Sequence, residues 1–371
     1  MEEIDPAGRK VRVRDLTSGK SAWEPYDQLL IATGAVPLCP DLPGADAVDI
    51  CGVNTLESGL EIRRRLDKGG MKKGVVVGGG YIGLEMAEAL VRHGLEVSLI
   101  SRSPQVMGTL DEEMGALVSR ALRDIGVTLH LEETLTEFET TAGKVTGIVT
   151  DKRTLPADIV ILGLGVRPNT SLAAAAGIPL GEKGSIRVNA RMETGIAGIW
   201  AAGDCAESFH LVSRRPFYIA LGTVANRQGR VAGINLGGGY ATFPGVVGTA
   251  VTKICEVEVA RTGLQEKELR KLGIEWVSAL IESRTKAGYY PGAGEITVKV
   301  LAERGSGRLL GGQIVGMEGS AKRIDTLATA LHAGFTVEEM INLDLGYAPP
   351  FSPVWDPVVT AAREAAKMLL H

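Results

Sequence analysis

Cysteine is scarce and scattered in this 371-residue chain. Cys39, Cys51, Cys205 and Cys255 form no C-x-x-C pair and no zinc spacing. That excludes a disulfide-stapled secreted fold and points to a cytoplasmic protein with reduced thiols. The five histidines show no ligand pattern either, so no metal site is expected. There is no basic block, and the net charge of −4 gives no footing for nucleic acid. No apolar run is long enough to cross a bilayer, and no signal peptide is visible. Low-complexity segments and short-period repeats are also missing. What remains is 45% apolar residues over a length that allows two or three domains, each with its own core.

The most informative stretch is Val75 to Glu85, Val-Val-Val-Gly-Gly-Gly-Tyr-Ile-Gly-Leu-Glu. A β-branched run enters Gly78-x-Gly80-x-x-Gly83, and an amphipathic helix follows. Gly78 permits the tight turn, Gly80 lets a pyrophosphate approach the backbone, and Gly83 lets helix and strand pack closely. The helix N-terminus then faces the phosphates. Gly83, Ala87, Leu90 and Val91 share one face, and Gly94 stops the helix. The next strand, Val97 to Ile100, ends at Ser101-Arg102-Ser103, where the ribose-reading residue belongs. An NAD site usually has Asp or Glu there. Arg102 suits a 2′-phosphate instead, so the expectation is NADPH or relaxed specificity; the plainer reading makes it a solvated loop residue.

Elsewhere, residues 1 to 31 read as hairpin strands ending in Ala32-Thr33-Gly34, followed by a proline-rich connector from Pro37 to Gly44. A helix is expected from Asp111 to Asp124, then strands at Val127 to Leu131 and Asp158 to Leu162. Ile186 to Val188 and Gly198 to Asp204 read as strands, and Leu221 to Ile234 as a helix. From about Thr242 the pattern becomes antiparallel strands, at Val247 to Val259, Trp276 to Ile281, Ile296 to Leu301 and Leu309 to Val315. Helices accompany them at Gln265 to Leu272, Ala321 to His332 and Pro357 to Leu370.

The motifs stand in a fixed order: Ala32-Thr33-Gly34, the Gly78 to Glu85 fingerprint, Gly163-x-Gly165-Val-Arg-Pro-Asn-Thr170, Ala202-Gly203-Asp204 and Ala225 to Arg230. In this the whole chain resembles the flavin-dependent pyridine nucleotide–disulfide oxidoreductases. The segments Leu345 to Pro357 and Ala287 to Gly292 resemble the coenzyme A disulfide reductase and NADH oxidase branch. The resemblance implies an α/β fold. A Rossmann-like NAD(P)H-binding domain (71–170) is inserted in a partial FAD-binding domain (1–70 and 171–241), and an α+β dimerisation domain (242–371) follows. Its implied cofactors are FAD and NADPH or NADH. The implied activity is hydride transfer from NAD(P)H through FAD to a small-molecule disulfide such as coenzyme A disulfide, in a homodimer. An NAD(P)H oxidase or polysulfide reductase on the same scaffold is the alternative.

The resemblance also assigns roles. Gly78, Gly80, Tyr81, Ile82, Gly83, Glu85, Ser101, Arg102 and Gly165 would serve NAD(P)H, with Tyr81 gating the nicotinamide pocket. Thr33, Gly34, Gly203, Asp204, Leu221, Gly222 and Thr223 would serve FAD. Asp204 would bond the ribityl chain, and the helix amides at 221–223 would face the pyrimidine. Tyr347 and one of Tyr289 or Tyr290 would reach the partner's active site; as plain packing they are interface aromatics. One departure is large. The family's first strand–glycine turn–helix and its Ser-x-x-x-Cys segment have no counterpart before Pro6. None of the four cysteines replaces that nucleophile. The isolated chain is therefore expected to be a truncated, NAD(P)H-binding, dimerising remnant without turnover, or a chain whose start was mis-assigned.

Overall fold

Alternating and β-branched stretches become strands, and 3.6-periodic stretches become helices, in this computed structural model, which describes residues 1–370. The chain forms two compact units. One comprises Met1–Val36 with Val166–Val246, the other Pro37–Gly165 with the chain from Val247 onward.

In the first unit, Glu3–Asp5, Lys10–Arg14 and Ser21–Pro25 make an antiparallel sheet. Leu29–Ile31 pairs in parallel with Ile199–Ala201. Ile31, Ile186, Ile199, Ala201 and Cys205 close one apolar core. Trp200, Ala202, Val224 and Val231 close a second, against the helix Gly222–Leu236. The strand expected at Ile186 to Val188 is not a strand. Ile186 is buried but makes only isolated bridges, to Leu180 and Ala206. Just beyond it, the Asn189 side chain accepts the Arg191 and Glu193 amides and turns the chain away before a ladder can extend.

The second unit holds a parallel sheet in the order Ile50–Gly52, Ile159–Leu162, Lys73–Val77, Glu96–Ser101, Thr128–Leu131. Strand alternation gives each face its own cover. Val76 and Leu99 pack with Leu84 and Leu90 of helix Tyr81–Arg92 and with Met114 and Leu122 of helix Glu112–Asp124. Val75, Val77 and Ile100 pack with Phe138, Val145 and Ile148 of an antiparallel sheet formed by Leu135–Thr141, Lys144–Thr150 and Thr154–Pro156. Each such large apolar side chain contributes about 1.5–3 kcal/mol on burial. Both faces being covered explains the unbroken apolar run of Val75 to Val77.

The same unit contains an antiparallel sheet in the order Ala250–Ile254, Val257–Gly263, Leu309–Gly316, Glu295–Glu303, Trp276–Arg284. Helices Ile324–Ala333 and Pro357–Leu369 pack on it. The single strand expected over 247–259 is two. The chain reverses at Cys255, whose φ of 52° is left-handed and whose amide donates to Glu88 Oε2 at 2.7 Å. No helix among the described residues is long and apolar enough to cross a membrane.

Candidate functional site

The glycine turn of the second unit is built as its spacing requires. Gly78 has φ of 112°, a conformation closed to other residues, and a Cβ there would meet the Gly163 carbonyl. A Cβ on Gly83 would strike the Gly78 carbonyl oxygen, so strand and helix touch through these glycines. Gly80 has open space where a side chain would be. It caps the helix Tyr81–Arg92 without a side-chain bond, and no acidic residue lies in the first turn. Free amides and a positive dipole end thus meet an open backbone, which suits a pyrophosphate. Ile82 lies in this first turn.

Ser101 is buried at the end of its strand, and its Oγ would touch a Cβ on Gly79 at 3.4 Å, so it flanks the turn. Arg102 is exposed on the following loop and makes no hydrogen bond or ion pair among the described residues. Gly165 is exposed in a left-handed conformation with open space around it. The Tyr81 hydroxyl accepts from Thr109 Oγ1 at 3.5 Å, and burial pushes its pKa up. Thr109 carried no signal in the sequence; only the tertiary path of residues 105–111 brings it there. Met107 N–H donates to the Gly79 carbonyl at 2.7 Å and ties that path to the glycine turn. Glu85 accepts from Thr252 Oγ1 at 2.6 Å, a partner 167 residues away.

In the first unit two motifs meet. Ala32-Thr33-Gly34 and Ala202-Gly203-Asp204 follow adjacent parallel strands, and the Ala202 amide donates to the Ile31 carbonyl at 3.1 Å. Thr33 Oγ1 donates to the Asn169 carbonyl at 2.5 Å, and the Asn169 amide returns to the Gly34 carbonyl at 2.9 Å. Gly34 is left-handed (φ 69°) with nothing near its missing Cβ. Gly203 N–H donates to Oε1 of the fully buried Gln228, which fixes the turn against helix Gly222–Leu236. The Gln228 signal lay in the Ala225 to Arg230 motif, whose role the sequence alone did not define.

Asp204 Oδ1 is buried without a hydrogen-bond partner, and burial raises the carboxyl pKa. A buried carboxylate oxygen in this state costs free energy unless a donor arrives. The Tyr218 hydroxyl bonds only the Asp204 carbonyl, at 3.0 Å, and burial with the nearby Asp204 pushes it up to about 12. Leu221 caps its helix without a side-chain bond, no acid lies in the first turn, and Gly222 and Thr223 are exposed. An orphaned carboxylate oxygen, an open glycine and free helix amides are the groups a polyhydroxylated, electron-accepting ring system would use. These residues fit a flavin.

The C-terminal tyrosines come together. The Tyr289 hydroxyl beside Tyr347 raises the Tyr347 pKa. Both are exposed, as are Phe351, Val354 and Trp355. Tyr347, Trp355 and Asp356 line a cavity of 190 Å³. Cys205 is fully buried and points its thiol at the Ile31 and Ala202 carbonyls. Burial raises the Cys51 and Cys255 pKa values, and Cys39 is exposed. Among the described residues no cluster of His, Cys, Asp and Glu could hold a metal.

Residues 1–229 match the family described as pyridine nucleotide-disulphide oxidoreductase, and residues 249–358 match its dimerisation domain. The chain is 40% identical to an NAD(P)H sulfur oxidoreductase (CoA-dependent) of Pyrococcus abyssi, over 97% of this chain and 80% of that protein. It is 31% identical to the coenzyme A disulfide reductase of Staphylococcus haemolyticus, over 88% of this chain and 72% of the relative. Among solved structures, an NAD-dependent persulfide reductase from A. fulgidus superposes with a TM-score of 0.95 at 39% identity, covering 99% of this chain and 68% of the other.

Proposed function

This chain belongs to the pyridine nucleotide-disulphide oxidoreductase family, and from that premise we propose that it reduces a small-molecule disulfide, coenzyme A disulfide first among them, with NAD(P)H. One NAD(P)H and one proton convert one disulfide to two thiols. FAD, when bound, supplies the two-electron relay between nicotinamide and disulfide. The observation that carries the reading is Asp204, a buried carboxylate oxygen without a partner where two motif-bearing strands end side by side. The relatives' names, which include sulfur, persulfide and coenzyme A disulfide reductases, support the substrate class.

The residues divide the work. Gly78, Gly80, Ile82 and Gly83 hold the pyrophosphate at the helix terminus. Ser101 and Arg102 hold the ribose and its 2′-phosphate, which favours NADPH, while Gly165 leaves room for the cofactor. Tyr81 closes the nicotinamide pocket, with Glu85 beside it. Thr33, Gly34 and Gly203 would let the flavin pass close to the backbone, and Asp204 would accept from a ribityl hydroxyl. The amides at Leu221, Gly222 and Thr223 would orient the pyrimidine edge and stabilise negative charge there. Tyr347 and Tyr289 serve the active site of the partner in a homodimer.

In this scheme residues 1–70 and 171–241 serve FAD, 71–170 serve NAD(P)H and 242–371 dimerise. The setting is the cytoplasm, where all four free thiols stay reduced. The thiol exchange step is assigned to none of them.

Anaerobic turnover with FAD, NADPH and coenzyme A disulfide tests the reading. Two thiols released per NADPH are expected, with a flavin band that NADPH bleaches. Failure to take up FAD, or NADPH consumption without thiol release, would overturn it.

A further inference from the structure

The Ser101-Arg102-Ser103 loop is gripped from behind. The Ser101 carbonyl accepts from Glu133 N–H at 3.1 Å, and the Ser103 carbonyl from Glu132 N–H at 3.2 Å. Glu132 sits at a left-handed φ of 54°, which lets two successive amides reach the loop on either side of Arg102. Glu133 itself is 3% exposed. Its Oε1 pairs with Arg153 Nη2 at 3.0 Å, and its Oε2 accepts from Thr150 Oγ1 at 3.0 Å. Next along the chain, Thr134 and Asp151 exchange bonds, Thr134 N–H to Asp151 Oδ1 at 2.9 Å and Asp151 N–H to the Thr134 carbonyl at 3.0 Å.

A carboxylate is retained in a buried place only when it is paired and hydrogen-bonded, and an apolar residue there would hold the sheet as well. What the ion pair adds is position: it locks residues 132–134 to the turn 150–153, and that locked segment holds the loop whose exposed guanidinium has no partner of its own. We propose that Glu133 and Arg153 are positioning residues for Arg102 and thereby determine selectivity for the 2′-phosphorylated nucleotide. The proposal rests on the reading that Arg102 takes the 2′-phosphate. NADH has no 2′-phosphate, so its binding does not depend on where Arg102 points. A merely structural role would weaken both nucleotides together.

The test is nucleotide binding to the full chain by calorimetry, with NADPH and NADH, for the parent and for Arg102→Met, Glu133→Gln and Arg153→Met. Removing one charge-assisted hydrogen bond to the phosphate corresponds to about tenfold in affinity. The expected result is an NADPH Kd raised about tenfold in all three variants, with NADH changed less than about twofold. If Glu133→Gln fails to fold, the more exposed Arg153→Met decides alone. Equal changes for both nucleotides, or none, in the Glu133 and Arg153 variants while Arg102→Met remains selective would overturn the positioning role and leave Arg102 in place. No selectivity change in Arg102→Met would overturn the 2′-phosphate reading and this inference with it.

Discussion

Lys299 has no exposed side-chain surface, yet it carries its charge against Asp111, Glu113 and Glu266. Burial opposes that charge, but the bonds Lys299 donates to the three carboxylates outweigh it and raise its pKa. Glu266 is the mirror case: burial raises it, and Lys299 more than reverses this, leaving it lowered. A raised lysine stabilises below its ordinary value and loses that stability as pH rises through the folded one. A lowered carboxylate stabilises above its ordinary value and loses it as pH falls through the folded one. The cluster therefore acts in full between about pH 4.5 and 10.5. Lys299→Met leaves Asp111 buried and without its cation. The expected loss is about 3–5 kcal/mol near neutrality, read from denaturant midpoints and shrinking below pH 4.5. A constant difference across acid pH would refute the ionic account. Asp204 has the opposite sign, because burial raises its carboxyl and its ionised form opposes folding at neutral pH. Asp204→Asn should stabilise the FAD-free chain by about 1–2 kcal/mol at about pH 7 while weakening FAD uptake. The gain should narrow as the medium is acidified toward the ordinary carboxylate range; a destabilised variant would mean that Oδ1 already has a donor.

At the scale of elements, legibility followed local pattern. The run Val75 to Val77, the glycine turn and the helix after it could be read because each signal is complete within a short stretch of chain. Helix Leu56–Asp67 could not be read, because Ile62 is its one buried residue and its start depends on a Thr55–Ser58 capping box. Three-residue Ile50–Gly52 is a strand only because Ile159–Leu162 lies beside it. The two strands around Cys255 looked like one because alternation continues through the reversal. In the candidate site, the glycines, Ser101, Asp204 and the helix starts were visible as residue types at fixed spacing. Thr109 beside Tyr81 and Thr252 on Glu85 were not, since only tertiary structure pairs them. Arg323 is another such residue. It donates to Asp356 Oδ2 at 3.0 Å, the Gly319 carbonyl at 2.7 Å, and the Thr285 and Phe351 carbonyls at 2.8 Å each. It thus ties the loop carrying Tyr289 to the loop carrying Tyr347. Lysine cannot reproduce that planar fork. Arg323→Lys is expected to cost about 2 kcal/mol and to return Tyr347 toward the ordinary tyrosine range as Tyr289 moves away from it. Ultraviolet difference titration against Tyr347→Phe checks this; an unchanged Tyr347 would show that the loops hold without Arg323.

For the molecule as a whole, the order of motifs along the chain and the grouping of the chain in space answer different questions. Motif order identified the family. Long-range polar bonds such as Glu88 to the Cys255 amide and Asp111 to Gln313 join the parallel sheet's helices to the C-terminal sheet, and no periodicity announces them. The exposed surface of that C-terminal region carries its own argument. Tyr289, Phe351, Val354 and Trp355 are 78%, 75%, 70% and 51% exposed, and they crowd the region that matches the dimerisation domain. Isolated exposed aromatics are ordinary, but several close in sequence on loops bound to one another mark a surface meant to be covered. The loops are tied to one another by Arg323 and by the Ala287 amide on the Pro349 carbonyl at 3.1 Å, and a second copy is the occupant that the match to the dimerisation domain favours. Phe351→Glu with Val354→Glu places two charges in that surface without touching a buried residue. The expected sedimentation profile shifts from dimer to monomer, and the melting temperature loses its dependence on protein concentration. If the double variant still sediments as a dimer, the interface lies on another face of the C-terminal sheet, and Tyr347 and Tyr289 lose their claim on a partner's active site.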